Sequence, residues 1–389
     1  MRFLSADYIF PLNESPIKKG VIQIDLSGRI INVFKDNDKI KPNDIEFFNG
    51  ILCPGFINAH CHLELSYLKQ DTFIDKTEGI VRFIDKMRKK PKYSESIISQ
   101  KIEAAESEMI KEGIVGVADI CNTKNTIFQK KRKNIRYTNF IETYQIDEKK
   151  SDIAINNSLR LQKLFESNGL NAIISPHSPY SVTTSLLKKI SNLLRKSDNV
   201  ITFHNQESLT ENELFRDKSG DLFDWLKSIG ASKEILNNTN HSPLMAVLKN
   251  IPFKKNILLV HNTFTKKEDL LECSEYHNRI YWCTCPRSNI NIENTIPDYN
   301  LFKKDRICIG TDSLASNKSL SILDELKVLS NKTNFSLNDM LNMACKNGAN
   351  ALGYSDLGTL EKNKKPGINL LNNIKNQKIT KKTTITRIV

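Results

Sequence analysis

Between residues 53 and 353, short apolar runs bounded by turn residues alternate with charged stretches. The runs are Gly55–Ala59, Val115–Ile120, Tyr137–Thr143, Ala172–Ser175, Val200–Phe203, Ile257–Val260, Ile280–Cys283 and Ile307–Gly310. Each has the length of a strand buried on both faces. Between them, apolar residues recur every three or four positions at Glu78–Lys89, Ile97–Lys111, Ile153–Glu166, Thr184–Arg195, Lys266–Tyr276 and Leu320–Ser330. That spacing predicts helices with one apolar face. Eight strands separated by helices predict an α/β fold of the TIM-like (β/α)8 barrel type. A doubly wound open sheet is the competing architecture, but neither G-x-G-x-x-G nor a Walker pattern follows the first strand.

The two ends have a different texture. YIFPLN, GVIQIDLSGRIINVF and IEFFNG are short strand-like runs with turn signals at Asn13-Glu14 and Ser27-Gly28, and GTLEKNKKPGINLLNN and TTITRIV repeat that texture after Gly353. Residues 1–52 and 354–389 are therefore expected to build one small β-sandwich domain beside a barrel of residues 53–353.

At 389 residues, with 39% apolar residues, 18 Phe and 10 Tyr, the chain can fill a large interior. The net charge of +13 raises the question of a polyanionic partner. The basic residues are scattered in short groups, Lys130 to Lys133, Lys254 with Lys255, and Lys364 with Lys365, without an aromatic-interleaved stripe. No nucleic-acid partner is expected. No run approaches 18 uncharged apolar residues, and Asp7, Pro11 and Glu14 interrupt the start of the chain before a signal sequence could develop. The expectation is a soluble cytoplasmic protein with no membrane partner. The eight cysteines include no C-x-x-C pair and fall mostly in apolar runs, as reduced buried residues would. Cys283 and Cys285 share one strand face but lack a nearby partner pair for a metal.

The seven histidines change the picture. His60 and His62 follow the first central strand in PGFINAHCHLE, His177 follows the fourth in SPHSPY, His204 the fifth in TFHNQES, and His261 the sixth in LLVHNTF. Asp312 follows the eighth in IGTDS. In a parallel barrel these positions share the mouth where active sites of that architecture lie. Side chains two apart on an extended segment project to one side, so His60 and His62 can grip one metal, with His204 and Asp312 completing a set suited to Zn²⁺ ahead of Fe²⁺. His241 and His277 fall in a loop and at a helix end and are taken as structural. Glu207, three residues after His204, is placed as a proton carrier. A metal that acidifies water, Asp312 as acceptor of the water's proton, and His261 polarising the attacked centre suit hydrolytic deamination of an amidine-like carbon. Glu64 is a candidate to orient His62 or its neighbours, or a capping or surface residue.

Taken together, PGFINAHCHLELS, HNQES, VHNTF, CPRSN and GTDSLASN resemble the amidohydrolase superfamily over nearly the whole chain. Within it the chain resembles the branch that deaminates cytosine, guanine, S-adenosylhomocysteine, methylthioadenosine and aminodeoxyfutalosine and includes the chlorohydrolases. The resemblance implies a metal barrel with a composite β domain, metal ligands at His60, His62, His204 and Asp312, a proton shuttle at Glu207, and catalytic roles for His261 and Asp312. It also implies one metal rather than two, because IISPHS offers no Lys to bridge a pair. PHSPYS implies a substrate contact at His177, and TEGIVRFI a ribose contact at Glu78. Arg82 and Arg287 are candidate anion contacts, with helix-surface and structural roles as the alternatives. The implied enzyme is a deaminase of an adenine-type nucleoside of the aminodeoxyfutalosine, methylthioadenosine or S-adenosylhomocysteine type, compatible with homodimer formation. The alternatives are hydrolysis of another C–N or C–Cl bond in a heterocycle, or a non-catalytic scaffold. The segment Thr210 to Asn250, with Phe215, Phe223 and Trp225, could form a lid or an ordinary helical pair.

Overall fold

The computed structural model describes residues 1–35, 40–68, 79–194, 200–236, 241–252 and 256–389. The N-terminal strands are β1 (Arg2–Ile9), β2 (Ile17–Lys18), β3 (Val21–Ile24), β4 (Ile30–Phe34) and β5 (Ile45–Pro54). The parallel strands follow as β6 (Phe56–Cys61), β7 (Ile114–Cys121), β8 (Arg136–Thr143), β9 (Ala172–Pro176), β10 (Ile201–Asn205), β11 (Ile257–His261), β12 (Ile280–Thr284) and β13 (Ile307–Ile309). Two C-terminal strands, β14 (Ile368–Asn372) and β15 (Thr384–Arg387), close the chain.

Both ends enter one seven-stranded sheet of order β15-β14-β5-β1-β3-β4, with β2 on β1. Its alternation buries Leu4, Ala6, Ile22, Ile24, Ile30, Leu52, Ile368 and Leu370 as a separate small core. The shared texture of the termini thus reflects a shared sheet, in which β14 pairs antiparallel to β5.

The fold is α/β. β6 to β9 form one four-stranded parallel sheet and β10 to β13 another. Every residue of β6 and of β9 to β13 is buried, which is why these strands read as unbroken apolar runs. Helices Glu95–Lys111, Ser151–Ser167, Thr184–Leu194 and Ile322–Lys332 lie between strands. They turn Met109, Phe165, Ile190 and Leu326 into the main core. The sheets are bonded at both edges. The N–H groups of Thr311 and Asp312 donate to the His60 carbonyl at 2.9 and 3.1 Å, and the N–H of His204 donates to the His177 carbonyl at 2.8 Å. Gly310 permits the first contact: a Cβ there would stand 2.7 Å from His60 Cβ and 2.9 Å from its backbone nitrogen.

After β10, helices Leu209–Asp217, Asp221–Ser228, Lys233–Leu236 and Pro243–Leu248 pack Leu214, Phe215, Leu222, Leu226 and Tyr180 into a satellite core. Phe215 is 2% exposed and Arg88 stands over the Trp225 ring, so this segment packs as ordinary helices in the described residues. All eight cysteines are free and buried. Among the described residues no helix is long and apolar enough to cross a membrane.

Candidate active site

The strands of both parallel sheets deliver their C-terminal ends to one place. His60 lies in β6 with His62 just beyond it, His204 lies in β10, His261 ends β11, and Asp312 follows β13. There the chain leaves the strands through left-handed backbone at Gln206, His261, Asn262 and Asp312, with φ of 45, 72, 55 and 58°. Side chains other than glycine rarely adopt that conformation, and such residues concentrate at functional sites.

His60 Nε2 and His62 Nε2 are 3.2 Å apart. Asp312 Oδ1 lies 3.5 Å from the first and 3.4 Å from the second. Ligating atoms of His60, His204 and His261 also fall within 4.8 Å of one another. Zn²⁺ bonds of about 2.0–2.2 Å at tetrahedral angles separate ligand atoms by about 3.3–3.5 Å. The donor set and its spacing therefore fit a divalent metal ion.

The other atoms of these groups are tied back. Asp312 Oδ2 accepts from the hydroxyls of Ser288, at 2.7 Å, and Ser316. His204 Nδ1 donates to the His177 carbonyl at 2.9 Å, which leaves Nε2 available as a ligand. His261 Nδ1 is 2.8 Å from Asn289 Oδ1. Glu64 does not reach His62, whose Nδ1 is buried without a partner. Its carboxylate instead accepts from the N–H groups of Asn122 and Thr123, at 3.0 and 2.9 Å, and from the Thr123 hydroxyl at 2.6 Å. It pins the loop after β7.

Burial disfavours charge throughout. It lowers His62 to about 3 and His177 to about 4, and holds His204 well below its ordinary value. Burial thus favours the neutral imidazole at His62, His177 and His204, the form that binds metal. Burial also pushes the Asp312 carboxyl up, but the hydrogen bond from His60 and the neighbouring His62 and His261 outweigh it and hold Asp312 well below the carboxylate range. Glu207 moves the other way. Burial, then the charge of Asp312, raises it well above its ordinary value. Its Oε1 stands 3.4 Å from His261 Nε2.

The structure thus gathers His60, His62, His204, His261, Asp312 and Glu207. His177 flanks them with a quarter of its side chain exposed. Glu78 lies outside the described residues. Arg82 is exposed on helix Gly79–Arg88. Arg287 resolves as structural, bonded to Ser319 at 2.6 Å and Asp324 at 3.2 Å. Cys283 and Cys285 are buried and join no ligating group among the described residues. Sequence reasoning missed four contributors. Ser288, Asn289 and Ser316 lie within segments already quoted as motifs, CPRSN and GTDSLASN, as the neighbours of named residues. Glu142, in FIETY, carried one legible signal, a carboxylate at the C-terminal end of an apolar strand.

Relatives agree with this architecture. An adenosine deaminase of Helicobacter pylori is 27% identical over 352 residues, covering 87% of this chain and 82% of that one. An aminodeoxyfutalosine deaminase of Nitratiruptor is 26% identical over 319 residues, covering 79% and 75%. The fold superimposes on the crystal structure of Helicobacter pylori aminofutalosine deaminase in complex with methylthio-coformycin, with a TM-score of 0.80, 23% identity and coverage of 98% and 94%. The model of the Amidohydrolase family matches residues 51–388, and the chain belongs to that family.

Proposed function

We propose that this protein is a metal-dependent aminohydrolase that removes the exocyclic amine of an adenine-type nucleoside and releases ammonia. The observation that carries the reading is the approach of His60 Nε2, His62 Nε2 and Asp312 Oδ1 to within 3.2–3.5 Å of one another, beside a buried Glu207–His261 pair. The names of the deaminase relatives support the leaving group and the substrate class. In this reading the two parallel sheets are halves of one (β/α)8 barrel, supported by the hydrogen bonds at both edges. Residues 53–353 form it, and residues 1–52 and 354–389 form a β-sandwich domain beside it.

His60, His62, His204 and Asp312 would hold one divalent ion, Zn²⁺ ahead of Fe²⁺. When bound, such an ion supplies the Lewis acidity that makes water a nucleophile at neutral pH. Asp312, whose Oδ2 is fixed by Ser288 and Ser316, would ligate through Oδ1 and is placed to accept a proton from the attacking water. Glu207, whose burial favours the protonated acid, carries the proton that the substrate's ring nitrogen receives. His261 donates through Nδ1 to Asn289, which fixes its ring beside Glu207 with Nε2 3.4 Å from Oε1. Water adds to the amidine carbon, the amine takes up the proton that Asp312 received, and ammonia leaves as the C–N bond breaks and the new hydroxyl returns a proton to Glu207.

The test is ammonia release from adenosine, methylthioadenosine, S-adenosylhomocysteine, aminodeoxyfutalosine, guanine and cytosine by metal-quantified protein, with and without chelator. Chelator-sensitive release from an adenine nucleoside is expected. Silence from fully metallated protein across the panel sinks the reading.

A further inference from the structure

We propose that Glu142 and His177 form a hydroxyl-binding pair in the wall of the site, which takes one hydroxyl of the substrate's sugar. The assignment rests on the nucleoside reading above and deepens it.

Glu142 stands next to the end of β8, on the same side of the sheet ends as the histidines. Only 7% of its side chain is exposed. Its Oε2 accepts from Asn122 Nδ2 at 2.9 Å, and Asn122 is itself fixed by Glu64. Oε1 is buried with no hydrogen-bond partner. A carboxylate oxygen kept from water without a donor costs stability, so a donor from outside the chain is the natural occupant.

The two nearest nitrogens do not supply one. His204 Nδ1 is 3.5 Å away, and its proton already goes to the His177 carbonyl at 2.9 Å. His177 Nε2 is 3.9 Å away, beyond hydrogen-bond length. His177 Nδ1 sits 2.9 and 2.7 Å from the hydroxyls of Ser178 and Ser181. When either hydroxyl donates to Nδ1, the ring proton lies on Nε2 and faces the gap. A donor and an acceptor 3.9 Å apart can be bridged by one oxygen at about 2.8 Å from each. A hydroxyl group fits: it accepts from His177 Nε2 and donates to Glu142 Oε1. The pair also lies on the open side of the site, since His177 is the partly exposed histidine and half-exposed Tyr144 stacks edge-on against it with centroids 5.7 Å apart. A sugar there would leave the base for Glu207 and His261.

The experiment compares kcat/KM for adenosine, 2′-deoxyadenosine and 3′-deoxyadenosine in the metal-loaded wild type, Glu142→Gln and Glu142→Ala, with metal content and melting temperature recorded for each. The wild type is expected to favour adenosine over one deoxy analogue by about 10–100-fold. Both variants should lose that preference, mainly through adenosine, while keeping wild-type metal content and folding. Equal losses on all three substrates, or an undiminished preference, overturn the pair. Loss of a metal equivalent in Glu142→Gln also overturns it, because Glu142, His177 and His204 are close enough together to hold a cation instead. A wild type that deaminates all three without preference removes the pair alone. A wild type that neither binds nor deaminates any of them, and is silent on every adenine nucleoside of the panel above, removes the nucleoside reading and the pair with it; where another nucleoside of that panel is the substrate, its deoxy analogues take the place of these three.

Discussion

The backbone N–H of Leu63 donates to Oδ1 of Asp119 at 2.8 Å, fixing the residue that follows His62 to the neighbouring strand β7. The other oxygen of Asp119 is paired with Lys130, and both side chains are wholly inaccessible. Lys130 also lies 3.2 Å from Cys121 Sγ and stands over the rings of Tyr137 and Phe165. A buried cation thus holds the carboxylate that holds the H-x-H segment.

Removing that cation strands the carboxylate. Lys130→Met is expected to cost about 3–5 kcal/mol in urea unfolding, the range for breaking one side of a buried pair. The effect has a pH signature. Burial lowers the Lys130 pKa, but the charge of Asp119 outweighs it and the net shift is upward. A raised lysine pKa contributes stability in full below the unfolded value of about 10.4 and loses it only as pH rises beyond. The wild-type pair should therefore lose nothing from pH 6 to 9, while the stranded Asp119 makes the variant less stable as it ionises, so the difference stays flat or grows with pH. A difference that shrinks steadily across that range contradicts the assignment.

Asp312 gives a second prediction. Its Oδ2 is held by Ser288 and Ser316, and its Oδ1 faces His60 and His62. Groups that orient a ligand typically tune metal affinity by about 10–100-fold. The double variant Ser288→Ala, Ser316→Ala should fold, bind metal weaker by that factor in a competition titration with a chromophoric chelator, and recover activity with excess metal. Wild-type affinity would show that the hydroxyls are incidental.

How far the sequence reaches is visible in these same residues. The parallel strands were legible to within two residues at each end because burial on both faces writes them as unbroken apolar runs. The histidines were legible because they are few and fall at strand ends. Glu142 was not, since its meaning comes from β9, β10 and the loop after β7 meeting around it. The same holds for Glu64, whose partners are backbone N–H groups almost sixty residues away in the chain. Arg287 could not be resolved until Asp324 and Ser319 were seen beside it, contacts created where helix Pro286–Glu293 meets helix Ile322–Lys332 and the loop before it. Local pattern records burial and period, and it is silent on which distant polar atoms meet.

Gly310 tests how the sheets meet. Adding a methyl group there sets a carbon against the Cβ and backbone nitrogen of His60 and, at 3.0 Å, the sulfur of Cys283. The backbone cannot give way as a flexible side-chain tip would. Gly310→Ala is expected to cost about 1–3 kcal/mol, read from the urea midpoint, and to lower metal affinity because His60 and Asp312 move together through the bonds to the His60 carbonyl. Unchanged stability and metal content would mean that the edge between β6 and β13 is loose.

Glu207 separates chemistry from metal binding. It is buried, which holds its carboxyl well above the ordinary carboxylate range, and it stands beside His261. Glu207→Gln keeps the shape and the hydrogen-bonding capacity but cannot release a proton at neutral pH. A positioned proton donor is worth about 10²–10⁴-fold. The variant should retain wild-type metal content and melting temperature, bind the nucleoside about as well, and lose kcat by that factor. His60→Ala should do the reverse at the first step and fail to hold metal. If Glu207→Gln instead loses metal along with activity, the glutamate belongs to the ligand set. If kcat is nearly unchanged, the proton reaches the ring nitrogen by another route, and the buried acid beside His261 serves only to hold that histidine.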